Sequence, residues 1–205
     1  AAAKAGELFD REARRMVSLL YLPGFEDKRS ETRHILVESV RDLCGRLESA
    51  GLVPVSTEGW YECDAFGTRL GGMVDLTVGP DSETISAVID LKLHGGAGFE
   101  KLLRNGTSFQ LVTYSHIISK MTGVPPPDVA YYILSRQRGI ELAGASVLPG
   151  ALTVDGMPIT AAWEALVKGF DGVWQDVAKG IAVAPGVPDD TGSVRGESYL
   201  DDNGG

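Results

Sequence analysis

Asp75, Asp90 and Lys92 interrupt two apolar runs, 70–78 and 85–93, that are separated by the turn-forming stretch Gly79-Pro-Asp-Ser-Glu-Thr84. Folded as an antiparallel hairpin, the runs bring apolar against apolar when Val74 faces Leu91, Leu76 faces Ile89 and Val78 faces Ala87. The two-residue period of a strand then puts Val74, Leu76 and Val78 on one face and Asp75 on the other. Ala87, Ile89 and Leu91 are likewise separated from Asp90 and Lys92. This register sets Asp75 opposite Asp90, and two facing carboxylates repel unless a cation lies between them. Their oxygens suit Mg²⁺ or Mn²⁺, which keep several waters and accept a phosphate oxygen. An ion held by Asp75, Asp90 and the Leu91 carbonyl would polarise a phosphate and lower the pKa of a bound water. Lys92 would orient that water or stabilise the charge that develops in the transition state. The competing reading is an ordinary one: Asp-x-Lys is common on the polar face of a surface hairpin, and the three residues also suit a structural ion network. Gly71 and Gly72 weaken a strand for no packing gain, which points to a backbone or ligand passing close by.

Taken in order, Gly72-Met-Val-Asp75-Leu, Val88-Ile-Asp90-Leu-Lys92 and Gln110-Leu-Val-Thr-Tyr114 resemble the PD-(D/E)XK nuclease superfamily. Within it the chain is most similar to the RecB-like exonuclease branch, which includes helicase-nuclease and CRISPR-associated exonuclease domains. The likeness runs from about residue 30 to 135, with a weaker echo in 173–180. It implies an α/β fold with a restriction-endonuclease-like core, a central mixed sheet flanked by helices. It also implies Mg²⁺- or Mn²⁺-dependent hydrolysis of DNA phosphodiesters at ends or in single strands, in repair, recombination or defence. By the same likeness, His34 in Arg33-His34-Ile-Leu-Val-Glu38 is a further metal ligand, and Gln110 and Tyr114 face the active site and the nucleic-acid backbone. Read from the residues alone, His34 fits equally a half-buried or capping histidine, Glu38 an exposed helix glutamate, and Gln110 and Tyr114 an amphipathic helix. The chain departs from the pattern at Val74, where the superfamily has proline. It also holds only Cys44 and Cys63, and two thiolates cannot build the four-cysteine cluster of many relatives, so no iron–sulfur cluster is expected. The alternative function is a nuclease-fold module with weak or lost cleavage that binds nucleic acid or protein in a larger complex.

The elements that must position these residues follow from periodicity. A first helix is expected over 7–20, with Leu8, Met16, Leu19 and Leu20 as its apolar side and Pro23-Gly24 as its stop. Ser30 is expected to cap a second helix, whose stripe Leu36, Val40, Leu43 and Leu47 packs on the sheet. Beyond the hairpin, His94-Gly-Gly-Ala-Gly98 reads as a plain loop or a phosphate cradle leading to a short helix at 99–104. Thr107 or Ser108 would cap the helix carrying Gln110 and Tyr114. A buried strand follows at 129–134, then an extra strand or two within 139–156. The final helix, 161–179, has the stripe Trp163, Leu166, Phe170, Val173, Trp174 and Val177.

The 205 residues suffice for one domain, expected over 1–187, with an acidic arm at 188–205. The chain carries 19 basic against 28 acidic residues, a net charge of −9. The arm contributes Asp189, Asp190, Glu197, Asp201 and Asp202 against Arg195, yet the body stays acidic without it. Duplex affinity comes mainly from Lys and Arg displacing counterions, so this charge predicts weak DNA binding and a partner or fused domain that delivers the substrate. Lys92, Lys101 and Arg104 form the local basic cluster expected to touch nucleic acid. No apolar run reaches the length of a membrane span and no leader pattern opens the chain; with only two cysteines, a cytoplasmic protein is expected.

Overall fold

In the computed structural model, residues 2–180 are described; the expected domain end at 187 and the acidic arm lie outside them. The first helices are α1 (Ala2–Met16) and α2 (Glu26–Ser49), joined through a 3₁₀ turn at Ser18–Tyr21. The expected first helix therefore stops earlier, and its last residues tighten into that turn. Ser30 does not cap α2, which begins at Glu26. Gly24, in a left-handed conformation (φ 89°), ends the connection and donates its N–H to Glu26 Oε2 at 2.8 Å. Glu26 and Asp27 in the first turn complement the helix dipole.

Next come β1 (Val53–Ala65), β2 (Thr68–Gly79), β3 (Ala87–Lys92), α3 (Gly96–Arg104), α4 (Phe109–Thr122) and β4 (Asp128–Ile133). The chain continues through β5 (Arg138–Leu142), β6 (Leu152–Val154) and α5 (Ile159–Ala178), so the 139–156 region does supply two short strands. The strands form one six-stranded mixed sheet in chain order, flanked by helices. β1, β2 and β3 are antiparallel neighbours, β3 and β4 are parallel, β4 and β5 antiparallel, β5 and β6 parallel.

Alternation along β3 and β4 divides the core in two. Val88, Val129, Tyr131 and Ile133 pack with Leu103 of α3 and with Leu111 and Ile118 of α4. Ala87, Ile89, Ala130 and Tyr132 pack on the other face with Leu47 of α2 and the loop residues Val147 and Leu148. Each such fully buried aliphatic side chain is worth about 1.5–3 kcal/mol of transfer free energy. The expected hairpin register holds over its first rungs, with Leu76 opposite Ile89 and Val78 opposite Ala87. Val74 departs from it: Leu76 and Val78 join the α2 face, whereas Val74 packs with Val88 and the α4 face. The pairing of β1 with β2 shifts register between Pro54 and Ser56, and Glu58, between the Thr57–Leu76 and Gly59–Val74 rungs, takes a positive φ of 51°.

Contacts divide the chain into a unit ending at Trp163 and a second beginning at Glu164. Within the second, the expected apolar stripe is open to solvent, with Val173 and Trp174 each 65% exposed. Helical periodicity marks which face is apolar, not whether anything covers it. Among the described residues no helix is long and apolar enough to cross a membrane.

Candidate active site

The hairpin ladder ends at Leu76–Ile89, one rung before the acidic pair. In place of the next backbone bond, Asp75 Oδ2 accepts the Leu91 N–H at 2.8 Å. Leu91 thus has its N–H committed to Asp75, while its side chain packs on the α2 face. Asp90, on the opposite face of β3, is 1% exposed. Lys92 Nζ pairs with Asp90 Oδ2 at 2.6 Å, and beyond this ion pair neither buried Asp90 oxygen has a hydrogen bond of regular geometry. A buried carboxylate with so few partners is costly. Burial raises the Asp90 pKa to about 6; the Lys92 ammonium opposes that rise, and the neighbouring charge of Asp75 adds to it.

Lys92 is held from three sides. Besides its attraction to Asp90, its ammonium donates to Gln110 Oε1 at 3.0 Å and lies 5.8 Å from the centroid of the Phe99 ring, within cation–π range. Gln110 Nε2 in turn donates to the Tyr114 hydroxyl at 3.1 Å. The i, i+4 spacing on α4 brings Gln110 and Tyr114 onto one face, as expected, and the structure joins both to Lys92. The groups that come close to Gly71 and Gly72 are aromatic rings. A Cβ on Gly72 would stand 2.6 Å from Tyr114 Cε1, and one on Gly71 would stand 2.8 Å from Trp60 Cζ2. Gly95, at φ 93°, turns the chain from β3 into α3 and so carries Phe99 back toward Lys92.

Two further residues complete the site, and no motif marks either. Tyr131 is the β4 partner of Asp90 in the parallel ladder, and its hydroxyl shares a 2.6 Å hydrogen bond with Ser108 Oγ. Burial raises the Tyr131 pKa, with the charge of Asp90 adding to the rise. Ser108 does occupy the N-cap position of α4, but its hydroxyl serves Tyr131 rather than the helix end. Phe99 is the second. Aromatic enrichment around a buried strand is the only signal in the sequence for either.

The remaining expected residues sit on helix surfaces. His34 is exposed on α2, and Glu38 pairs with Arg41. Among the described residues, no three of His, Cys, Asp and Glu come together, so His34 does not join Asp75 and Asp90 as a third side chain. Lys101 and Arg104 are exposed on α3, and Arg104 pairs with Glu100 at 2.9 Å. The donor set at the site is therefore two carboxylates and strand-end backbone. All are oxygen donors of the kind that Mg²⁺ and Mn²⁺ prefer, and the buried Asp90 oxygens are where such an ion fits. No protein-family model, curated protein or solved structure matches the chain.

Proposed function

We propose that the chain is a Mg²⁺- or Mn²⁺-dependent nuclease of the PD-(D/E)XK type, acting on DNA ends or single strands. The observation that carries this reading is Asp90, a buried carboxylate beside Asp75 whose one close partner is the Lys92 ammonium. The order of α2, a three-strand antiparallel meander, two helices and the parallel strand β4 supports a restriction-endonuclease-like core.

A divalent ion, when bound, supplies a Lewis acid for the phosphate and a more acidic water. Asp75 and Asp90 would hold that charge where β2 and β3 part, kept there by the Asp75–Leu91 hydrogen bond. Lys92 presents an ammonium to the phosphoryl oxygens, aimed by Gln110, and its attraction to Asp90 keeps the side chain from swinging into solvent. Tyr114, packed over Gly72, fixes Gln110 in turn.

The test is a cleavage assay on linear single-stranded, linear duplex and circular DNA with Mg²⁺, Mn²⁺ or EDTA. Ion-dependent loss of linear single strands is the expected result, abolished in Asp90→Asn. No cleavage of any substrate, with either ion, would defeat it. The net charge of −9 favours the second reading, a binding module served by a partner, and DNA binding without cleavage would select it.

A further inference from the structure

The α1–α2 hairpin extends past the end of the sheet near the acidic pair, on the face opposite Asp90. Ser39 Oγ donates to the Leu134 carbonyl at 2.7 Å, just past the end of β4, where Lys92 pairs with Ile133. Leu47 packs farther back, among Leu76, Ala87 and Ile89. α2 thus runs antiparallel to β3 and β4, and its N-terminal half continues beyond the strand ends. At about 1.5 Å per residue, Arg29 stands about 15 Å beyond Ser39 along that axis.

At this tip Tyr21 takes two guanidinium groups onto its ring. Arg14 Cζ lies 4.9 Å and Arg29 Cζ 4.8 Å from the ring centroid, and the Tyr21 hydroxyl is anchored on the Asp10 carbonyl at 3.2 Å. Stacking fixes each guanidinium while leaving its N–H edge in the solvent plane. Of the carboxylates nearby, Asp10 pairs with Arg33, Glu12 with Arg11 and Arg15, and Glu31 with Lys28, Glu26 accepts the Gly24 N–H, and Asp27 is exposed in the first turn of α2. Among the described residues neither Arg14 nor Arg29 has a carboxylate partner. In an acidic chain, this is a preorganised pair of cations within reach of neighbouring phosphates.

We propose that Arg14, Tyr21 and Arg29 form a clamp for the phosphate backbone of a single nucleic-acid strand whose scissile phosphate lies at Asp75 and Asp90. The inference rests on the nuclease reading and adds a second point of attachment to it, a few nucleotides from the point of cleavage. A strand spanning both sites is held by the clamp; a shorter one is not.

Binding is measured by fluorescence anisotropy in EDTA, so that cleavage plays no part, with a long and a short labelled oligothymidylate across a salt series. Arg14→Gln/Arg29→Gln is expected to weaken the long strand on the order of tenfold and to flatten its salt slope by about 1.4, since each phosphate of a single strand that is no longer neutralised lowers the slope by ~0.7. Binding of the short strand should be unchanged. Arg14→Lys/Arg29→Lys should restore the slope, because the charge returns. An unchanged slope for the long strand overturns the clamp, including the case in which the double variant only melts earlier, since the arginines would then do no more than hold the turn. If the parent cuts single strands yet shows that unchanged slope in the variant, the nuclease reading stands without the clamp. A parent that binds no oligonucleotide overturns the clamp, and the cleavage assay alone decides the nuclease reading.

Discussion

Asp90 concentrates the electrostatic cost of the site. Folded, it holds its proton up to about pH 6, because burial outweighs the help of Lys92; unfolded, it loses that proton near pH 4. Between those values the folded state binds more protons than the unfolded one, so stability is highest below the window and is lost as pH rises through about 6. In urea unfolding without divalent ions, the wild type should lose on the order of 2–3 kcal/mol relative to Asp90→Asn between about pH 4 and pH 7. Parallel curves for the two proteins would show that Asp90 is not desolvated. Lys92 carries a separate expectation. If its ammonium acts on the transition state, Lys92→Ala should lower cleavage on the order of a hundredfold or more while Mn²⁺ still raises the melting temperature as in the parent. Single-turnover rates and scanning calorimetry measure the two halves, and normal cleavage in Lys92→Ala would assign the role to another group.

The elements meet at the site through one close approach, that of α4 to β2. Tyr114 packs where Gly72 has no side chain, and this contact connects the meander to the helix that aims Lys92. Gly72→Ala places a methyl 2.6 Å from the ring, so Tyr114 must shift, which strains its bond with Gln110. A loss of about 1–3 kcal/mol is expected, the usual scale for overpacking, together with reduced cleavage. In a Tyr114→Ala background the same substitution should cost under about 1 kcal/mol, and a double-mutant cycle in urea measures the coupling. Additive costs would mean that the glycine is needed for something other than the ring. Strict alternation groups Val74 with Leu76 and Val78, but Val74 packs in the other core, a departure within β2 that a pattern with period two cannot register.

For the whole molecule, charge is the governing quantity. The chain is acidic, and Arg104 in the α3 patch is already paired with Glu100, leaving Lys101 as that patch's stronger contact. Nucleic-acid affinity should therefore be weak with a shallow salt slope, and Lys101→Glu/Arg104→Glu should lower it further; tight binding with a steep slope in filter-binding assays would reveal a basic groove elsewhere. Local periodicity was enough to place the helices, the strands from β2 onward and the grouping of Asp75, Asp90 and Lys92, and the register it favoured is the one found at Leu76–Ile89; β1 was not among the expected elements. Periodicity also put Gln110 and Tyr114 on one helical face. What tertiary structure decided were the contacts between elements distant in the chain. Asp75 caps the Leu91 N–H, Gln110 reaches Lys92, Tyr131 takes Ser108 from its cap, His34 is exposed on α2, and Arg14 and Arg29 meet on Tyr21. Such contacts depend on how helices cross strands and on where a ladder breaks, and no repeat along a single segment encodes a crossing.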